Sequence, residues 1–466
     1  MARATDTRFD EASLWALERR LGESLRACLE RTLREAIKEG SLRAGVELPA
    51  SRRLAMQLGV SRGVTSDAYG ELEAQGYLQV SPRRPPVVAE VPSASRESPA
   101  PSPTPQRPPR FDMTPTTPDV TLFPRREWSA ALSVAVREAP AAALDYGPFQ
   151  GDLSLRARLA DELGRTRGVI CDPSQIVIVQ GATQGIDLVL RVLQDRGATR
   201  VAVEDPSLHR QHDQVRGLGL SLIGQPVDHE GLVVEGLDAD VLIVSPAHQF
   251  PTGAVLSGAR RRGVLNWSRE TQGLVIEDDY DAEFRYDREP VRALQGLHPD
   301  GVIYIGTVSK TLAPALRLGW VVLPVPLVSE ATATKRLLDD FSPTIEQLAF
   351  ARMLDRGDYQ RQIRKARAVY RARRDQLVAL LAEHFPELTV SGVSAGLHVL
   401  LNLPGGVNDR ELERSALETG VRVEALARYT IQDRGKRGLL LGYGRMHEAS
   451  ITAVVAKLAP TLNALA

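Results

Sequence analysis

Apolar residues recur every fourth position near the start of the chain, and this spacing predicts one amphipathic helix. Gly40, which follows the last of them, is a typical helix stop. The apolar stripe consists of Leu21, Leu25, Leu29, Leu33 and Ile37.

Two shorter helices are predicted next, joined by a tight turn. Ser51 is expected to cap the first helix and Gly59 to end it, and Ser61 is expected to cap the second, which runs to about residue 75. This is the helix-turn-helix arrangement. The inward side of the second helix would consist of Val64, Ala68 and Leu72.

The second helix and the segment after it carry candidate DNA contacts. The first turn of the helix would expose small and basic residues suited to the major groove, namely Arg62, Gly63, Thr65 and Ser66. Residues 76–80 and 86–89 are predicted strands, with Arg83 and Arg84 at the tip between them. Residues 41–86 carry six basic and four acidic side chains, which is only a slight positive excess. Charge alone therefore does not exclude the alternative, a small helical packing module whose arginines are merely solvated.

A different pattern governs the chain from about residue 119. Short apolar runs alternate with helical stretches, which predicts an α/β domain with a mostly parallel sheet covered on both faces. Ligand-binding residues are then expected just beyond the carboxyl ends of the strands. The predicted strands are Ile176–Val179, Val201–Val203, Val241–Val244, Leu274–Ile276, Val302–Ile305 and Gly319–Leu323.

The segment between these regions has its own composition. Residues 91–118 contain nine prolines and almost no large apolar side chains, so they cannot bury enough surface to fold alone. We therefore predict a domain at 10–90, a linker at 91–118 and a second domain at 119–466. The linker has two interpretations: it limits how far the first domain can move from the second, or it only separates the two domains.

Composition excludes several other classes of protein. Lysine plus arginine and aspartate plus glutamate each number 58, so net charge indicates neither nucleic acid nor membrane. The two cysteines, Cys28 and Cys171, lack the spacing of metal ligands and do not indicate a disulfide scaffold. No apolar signal core opens the chain, and we find no membrane-length apolar run. These observations predict a cytoplasmic protein without a metal site.

Polar side chains follow three of the predicted strands. Lys310 comes after a buried strand, where desolvation would lower its pKa and make its amine a nucleophile toward an aldehyde; the alternative is an ordinary surface lysine. Asp278 could pair with a protonated ring nitrogen, and Tyr280 could hydrogen-bond a phenolate oxygen. The small residues Gly181–Thr183 at a helix start and the guanidinium of Arg317 could bind an anion. A nucleophilic lysine, a partner for a ring nitrogen and an anion site are together what pyridoxal 5′-phosphate requires.

The first region resembles a known family. The stretch LPASRRLAMQLGVSRGVTSDAYGELEAQGYLQV is similar to the winged helix-turn-helix of GntR-type bacterial regulators. The resemblance implies that Arg52, Arg62 and the wing arginines Arg83 and Arg84 contact double-stranded DNA. Three prolines stand in the wing where the family commonly has glycines.

The second region resembles fold-type I aminotransferases through SPAHQFPTG (245–253), IEDDYDAEFRY (276–286) and IGTVSKTLAPALRLGW (305–320). Together with the first region it looks like a MocR-type regulator. The resemblance implies a Schiff base at Lys310, a ring contact from Asp278 and another from Tyr280. It implies a homodimer in which Tyr146 reaches the partner's phosphate site, a core aromatic being the alternative. The implied phosphate ligands are Ala182, Thr183, Thr307, Ser309 and Arg317.

Three departures from the aminotransferase pattern bear on activity. Leu208 stands where an aromatic residue usually stacks on the cofactor ring, unless His209 replaces it. Leu440 aligns with the arginine that holds the substrate carboxylate, and Phe250 aligns with a common asparagine. Efficient transamination is therefore not expected, because it needs a rigidly held substrate. The arginines considered as substitutes for the carboxylate-binding arginine are Arg422, Arg428 and Arg445.

Three functions are consistent with these resemblances and departures. The first is a pyridoxal-phosphate-dependent transcription factor that senses an amine, an amino acid or a vitamin B6 form. The second is an aminotransferase with an accessory DNA-binding domain. The third is a transcription factor whose second domain has lost the cofactor and serves only in dimerisation. The cofactor-dependent regulator is favoured over the cofactor-free one because the chain retains Lys310, Asp278, Tyr280 and Arg317. It is favoured over the aminotransferase because of Leu208 and Leu440.

Overall fold

The structure is a computed structural model that describes residues 18–82, 84–90, 109–286 and 291–463. The chain divides into two compact units, residues 1–107 and residues 108–466. Within the described ranges, no helix is both long and apolar enough to cross a membrane.

The first unit is a three-helix module followed by a short antiparallel hairpin. Its core is formed where α1 and α3 bury Leu29, Leu33 and Leu72 against Leu54 of α2. Leu78 pairs with Val88 in the hairpin. The elements are α1 (Leu25–Lys38), α2 (Ser51–Leu58), α3 (Arg62–Ala74), β1 (Leu78–Gln79) and β2 (Val87–Val88).

The helix ends in this unit test the sequence predictions one by one. Gly59 ends α2 in the left-handed region, with φ 66°, and the Ser61 side chain accepts from the Val64 amide at 3.4 Å, so both predictions are confirmed. The prediction for Ser51 is wrong, because α2 begins at Ser51 and the N-cap is Ala50, which offers no side-chain acceptor. Leu21 is exposed and precedes α1, so it is not part of the stripe.

The second unit alternates strands and helices along the chain, as predicted. Its first half comprises β3 (Phe111–Asp112), α4 (Arg125–Glu138), α5 (Leu153–Arg167), β4 (Ile176–Val179), α6 (Ala182–Asp195), β5 (Arg200–Asp205), α7 (His209–Gly217), β6 (Ser221–Asp228), β7 (Gly231–Leu232), β8 (Val241–Val244), α8 (Gly258–Thr271), β9 (Leu274–Asp279), β10 (Val302–Thr307) and β11 (Gly319–Val322). Its second half comprises α9 (Val325–Asp339), α10 (Thr344–Asp355), α11 (Asp358–His384), β12 (Val390–Ser391), β13 (His398–Leu403), α12 (Asp409–Glu418), β14 (Val421–Arg422), β15 (Glu424–Ala425), β16 (Arg437–Gly442) and α13 (Glu448–Asn463).

The large sheet positions the site. In the described residues its strand order is β4-β11-β10-β9-β8-β5-β6-β7, and only β11 and the edge strand β7 run antiparallel to their neighbours. This confirms a mostly parallel sheet, with an apolar core on each face. Because β9 and β10 are parallel neighbours, with Asp278 opposite Ile305, their carboxyl ends open at the same edge.

A smaller antiparallel sheet follows the large one, in the order β12-β13-β16-β15. It packs with α11 and α13 around a separate apolar core that includes Tyr370, Leu401 and Leu441. The predicted linker enters this part of the unit. Its residues 91–108 lie outside the described residues, but Phe111 and Asp112 form β3, which pairs in parallel with β14.

Candidate functional site

Residues from several strand ends of the large sheet surround one cavity of about 260 Å³, which we call the Lys310 cavity. The sheet edge brings together every predicted cofactor ligand except Tyr146. The lining residues that were predicted are Ala182, Thr183, Asp278, Tyr280, Thr307, Ser309, Lys310 and Arg317.

Lys310 lies in the turn that follows β10 and is half-buried. Burial lowers the pKa of its ammonium group below the ordinary value, and the Arg210 charge acts in the same direction. Asp281 and Asp278 oppose this change, but the net direction is downward. The lowered pKa expected from the sequence is therefore confirmed, and it increases the fraction of neutral, nucleophilic amine.

The three consecutive acids at the end of β9 have different partners. Asp279 makes a buried two-point ion pair with Arg167, at 2.7 and 2.9 Å. Glu277 accepts from the backbone amides of Leu294 and Gln295, both at 3.0 Å. Asp278 accepts from the Gln211 side chain through Oδ2 at 2.9 Å. In the described part of the chain, Asp278 Oδ1 is buried without a hydrogen-bond partner.

The orphan oxygen of Asp278 has an electrostatic consequence. Burial raises the pKa of this carboxyl to about 7, and the nearby Asp279 and Asp281 charges add to the effect. A buried acceptor without a donor is costly unless a ligand satisfies it. A protonated ring nitrogen in the Lys310 cavity would supply both a donor and a positive charge. Asp278 therefore fits the pyridine ring expected from the sequence.

Tyr280 lines the same cavity and belongs to a buried polar cluster. Its hydroxyl lies 3.0 Å from His248 Nδ1, which also lies 3.0 Å from an Asp281 carboxylate oxygen. Burial raises the pKa of Tyr280 well above its ordinary value, so the phenol stays protonated and can donate a hydrogen bond. Tyr280 therefore places a protonated phenol in the wall of the Lys310 cavity.

The start of α6 and the residues after β10 form an anion cradle. Gly181 caps α6 with φ 87°, and a Cβ there would lie 3.2 Å from Arg317 Nη1, so the guanidinium lies against bare backbone. Arg317 donates to the Gln180 carbonyl, and the Thr307 and Ser309 hydroxyls lie 2.9 Å apart. A helix start, hydroxyls and a guanidinium together suit a phosphate.

Four further polar residues of the cavity did not follow from the sequence. Gln211, Gln214 and Arg210 come from α7: Gln211 bonds Asp278, while Gln214 and Arg210 donate to Thr183 at 2.7 and 3.1 Å. The available signal was their position directly after strand β5, at the same sheet edge. The fourth is Thr116, from the end of the predicted linker.

Tyr146 lies away from the Lys310 cavity. Its side chain is 81% exposed and meets the Phe341 ring edge-on at 6.0 Å. It is therefore not a core aromatic, which removes the alternative considered for it. Its side chain is available to another molecule.

An apolar cluster adjoins Tyr280. It contains Phe250 and Leu440, the two positions where many aminotransferases have polar residues, together with Leu400, Leu426 and Tyr429. Leu208 packs against this cluster and, like His209, lines the cavity. The arginines considered as substitutes, namely Arg422, Arg428 and Arg445, are not among the residues that line the Lys310 cavity.

The first unit carries the candidate nucleic-acid interface. Arg52, Arg62 and Arg84 are exposed, as a DNA contact requires, and Arg83 lies outside the described residues. The expectation that Thr65 is exposed is wrong. Its side chain is fully buried, and its hydroxyl donates at 2.9 Å to the Ser51 carbonyl, which ties α3 to α2.

Comparisons with known proteins agree with both halves of this description. The family model for aminotransferase class I and II matches residues 123–440, and the model for bacterial regulatory proteins of the gntR family matches residues 25–88. The HTH-type pyridoxine biosynthesis transcriptional regulator PdxR of Corynebacterium glutamicum is 31% identical over 93% of this chain and 95% of its own length. The probable rhizopine catabolism regulatory protein MocR of Rhizobium meliloti is 30% identical over 88% of each chain.

A solved structure is similar to the second unit. The crystal structure of alpha-aminoadipate aminotransferase LysN from Thermus thermophilus, complexed with N-(5′-phosphopyridoxyl)-L-leucine, has a TM-score of 0.70 and 26% identity. It covers 76% of this chain and 92% of that chain. The chain belongs to the MocR-type regulators, in which a GntR-type helix-turn-helix domain is joined to an aminotransferase class I and II domain.

Proposed function

We propose that this protein is a DNA-binding transcriptional regulator whose second unit holds pyridoxal 5′-phosphate at Lys310 and responds to a small amine or to the cofactor itself. The observation that carries the proposal is the unsatisfied Asp278 Oδ1, buried in the same cavity as the lowered-pKa amine of Lys310. A cavity that had lost its cofactor would have no reason to keep a costly orphan carboxylate.

The roles of the cavity residues follow from their chemistry. When bound, the cofactor supplies an aldehyde that reacts with amines. Lys310 would hold that aldehyde through its neutral amine, and Asp278 would bind the ring nitrogen. Tyr280 would donate to the ring oxygen. The phosphate would be held by Arg317 and the start of α6, together with Thr307 and Ser309.

The proposal does not include efficient turnover. An aminotransferase must hold the substrate carboxylate rigidly, yet Phe250 and Leu440 belong to one apolar cluster beside Tyr280. A carboxylate without a partner there would lose its hydration, which costs several kcal/mol. The cavity therefore suits binding and signalling better than repeated transamination.

We also propose a homodimer. Tyr146 is exposed, and so is the neighbouring Leu144, at 65%. Exposed large apolar side chains close together are typical of interaction surfaces. A second copy of the chain would bury them and bring Tyr146 to a phosphate site, as the family resemblance implies.

The test is a titration of the full-length protein with pyridoxal 5′-phosphate and with candidate amines. Visible absorbance reports the cofactor, and fluorescence anisotropy reports binding to a DNA duplex selected by the protein from random sequences. We expect saturable absorbance, a change in DNA affinity on loading or on adding an amine, and no keto acid beyond one equivalent. A colourless protein would support a cofactor-free dimerisation unit, and sustained keto-acid production would support an aminotransferase.

Replacing Asp278 with asparagine should change the stability of the cofactor-free protein in a pH-dependent way. The folded-state pKa, about 7, is raised above the ordinary value of 3.8, so the folded protein holds this proton more tightly than the unfolded chain. That contribution is present at low pH and is lost as pH rises through about 7. When pH is raised from about 6 to about 8, the wild type loses this contribution and Asp278→Asn does not. The free energy of unfolding of Asp278→Asn should therefore rise by about 1 kcal/mol relative to that of the wild type over this pH change.

Thermal unfolding at both pH values, with and without pyridoxal phosphate, checks this prediction. With the cofactor bound the order should reverse, because the carboxylate then faces a ring cation. Asp279→Asn is the matched control, since it breaks the buried pair with Arg167 and should destabilise at both pH values. An Asp278→Asn variant that gains no stability with pH, or binds the cofactor as tightly as the wild type, contradicts the assigned role.

A further inference from the structure

Residues 109–119, which we call the strap, enter the second unit beside β14 and the end of β16. The Phe111 amide donates to the Gly420 carbonyl at 3.0 Å, and the Met113 amide donates to the Arg422 carbonyl at 2.9 Å. The Gly442 amide in turn donates to the Met113 carbonyl at 2.8 Å. The first half of the strap is therefore fixed by its pairing with β14 and by the hydrogen bond from Gly442 at the end of β16.

Gly442, the last residue of β16, and Gly444, two residues later, lie very close to the middle of the strap. A Cβ on Gly442 would lie 2.3 Å from the Thr114 carbonyl oxygen, and a Cβ on Gly444 would lie 2.2 Å from that of Thr117. No other residue type could stand at either position without moving the strap. The backbone from 114 to 117 thus lies directly on bare backbone at the end of β16 and just beyond it.

The two ends of the strap carry ion pairs. Asp112 binds Arg445 at 3.0 Å, and the buried Asp119 binds Arg373 at 2.8 Å. The Asp119 amide also donates to the Tyr370 hydroxyl at 2.9 Å. Anchors on both sides leave little freedom to the residues between them.

Thr116 occupies the middle of this anchored segment and has φ 56°. A β-branched residue in the left-handed region is strained, and such strain persists only where the surroundings enforce it. Thr116 is also a lining residue of the Lys310 cavity. One strained residue of the strap therefore borders the same space as Lys310 and Asp278.

We propose that the strap is a positioning device that links occupancy of the Lys310 cavity to the linker, with Thr116 as its contact residue. The inference rests on the proposed function. Its basis is connectivity: the strap forms the last part of the predicted linker at 91–118, whose preceding residues lead back to the helix-turn-helix unit. A ligand that contacts Thr116 changes how strongly its strained backbone conformation is favoured. The hydrogen bonds at Phe111 and Met113 transmit this change toward the linker. A strap that merely seals the fold would not respond to ligand.

Hydrogen exchange on the full-length protein, with and without pyridoxal 5′-phosphate, tests the response. We expect the amides of residues 111–119 to exchange more slowly in the loaded protein, together with those of residues 305–317. Protection at 305–317 without any change at 111–119 overturns the strap inference alone. No change at either segment, with no visible absorbance, overturns the proposed function and the strap inference with it.

The variant Thr116→Gly tests the role of the side chain, because glycine adopts φ 56° without strain and removes the contact. The readout is the ratio of DNA dissociation constants with and without saturating pyridoxal phosphate, with saturation checked by absorbance. In the wild type we expect a ratio of at least about fivefold in either direction, and in Thr116→Gly a ratio near one.

Thr117→Gly is the matched control, because this neighbour adds the same backbone freedom but is not a lining residue of the cavity. It should keep the wild-type ratio. Equal ratios in the wild type and Thr116→Gly overturn the inference, as does a wild-type ratio of one or an equal loss in both glycine variants.

Discussion

Replacing Lys310 with alanine is expected to abolish both the cofactor's lysine-dependent absorbance and the response of DNA binding to ligand. The methyl group cannot form the covalent link, although Asp278 and the anion cradle would still attract the cofactor weakly. DNA affinity without ligand should remain, because the helix-turn-helix module has its own core in a separate unit. Absorbance spectra and anisotropy titrations of the same preparations measure both effects.

Two further substitutions separate the amine's chemistry from its charge. Lys310→Arg keeps a cation in the cavity but offers no Schiff-base nucleophile, so it should behave like Lys310→Ala. Lys365→Ala removes an exposed lysine from α11 and should behave like the wild type. A Lys310→Ala protein with wild-type absorbance and ligand response would disprove the assigned role of the lysine.

Replacing Arg62 with alanine is expected to weaken DNA binding about 10- to 100-fold and to leave cofactor absorbance unchanged. Arg62 is exposed in the first turn of α3, the helix that the winged helix-turn-helix arrangement directs into the major groove. Loss of a phosphate or base-edge contact from such an arginine costs about 1–3 kcal/mol. Anisotropy at fixed salt measures the change, because the affinity depends strongly on salt.

Arg34→Ala is the control for charge alone. Arg34 bonds Gln75 at the opposite end of α3, about 20 Å from Arg62 along the helix. The two variants therefore lose the same charge at different positions on the first unit. Equal losses of affinity would indicate a general electrostatic effect, and simultaneous loss of cofactor absorbance in Arg62→Ala would contradict the independence of the two modules.

Much of the site followed from the sequence because of one rule about sheets. Asp278 lies at the end of β9 and Lys310 follows β10, and parallel strands that are neighbours end at the same edge of the sheet. The sequence therefore predicted their proximity without any side-chain geometry. The insertion of antiparallel β11 between β4 and β10 did not follow, because an apolar run carries no information on the direction of its pairing.

The contacts that were missed are those that depend on distant parts of the chain. Gln211 and Gln214 reach the site from α7, and polar residues in a helix ordinarily indicate only a solvated face. Thr116 lies in a proline-rich stretch whose composition indicated no fixed structure. Thr65 was predicted exposed because threonine is small and polar, yet its hydroxyl has a backbone partner in α2 that allows full burial.

The covalent role of Lys310 is tested by reduction of the cofactor-loaded, full-length protein with borohydride, followed by proteolysis and mass spectrometry of the peptides. We expect loss of visible absorbance and one phosphopyridoxyl group, attached to Lys310. Recovery of that group on another lysine, or on none, would contradict this role.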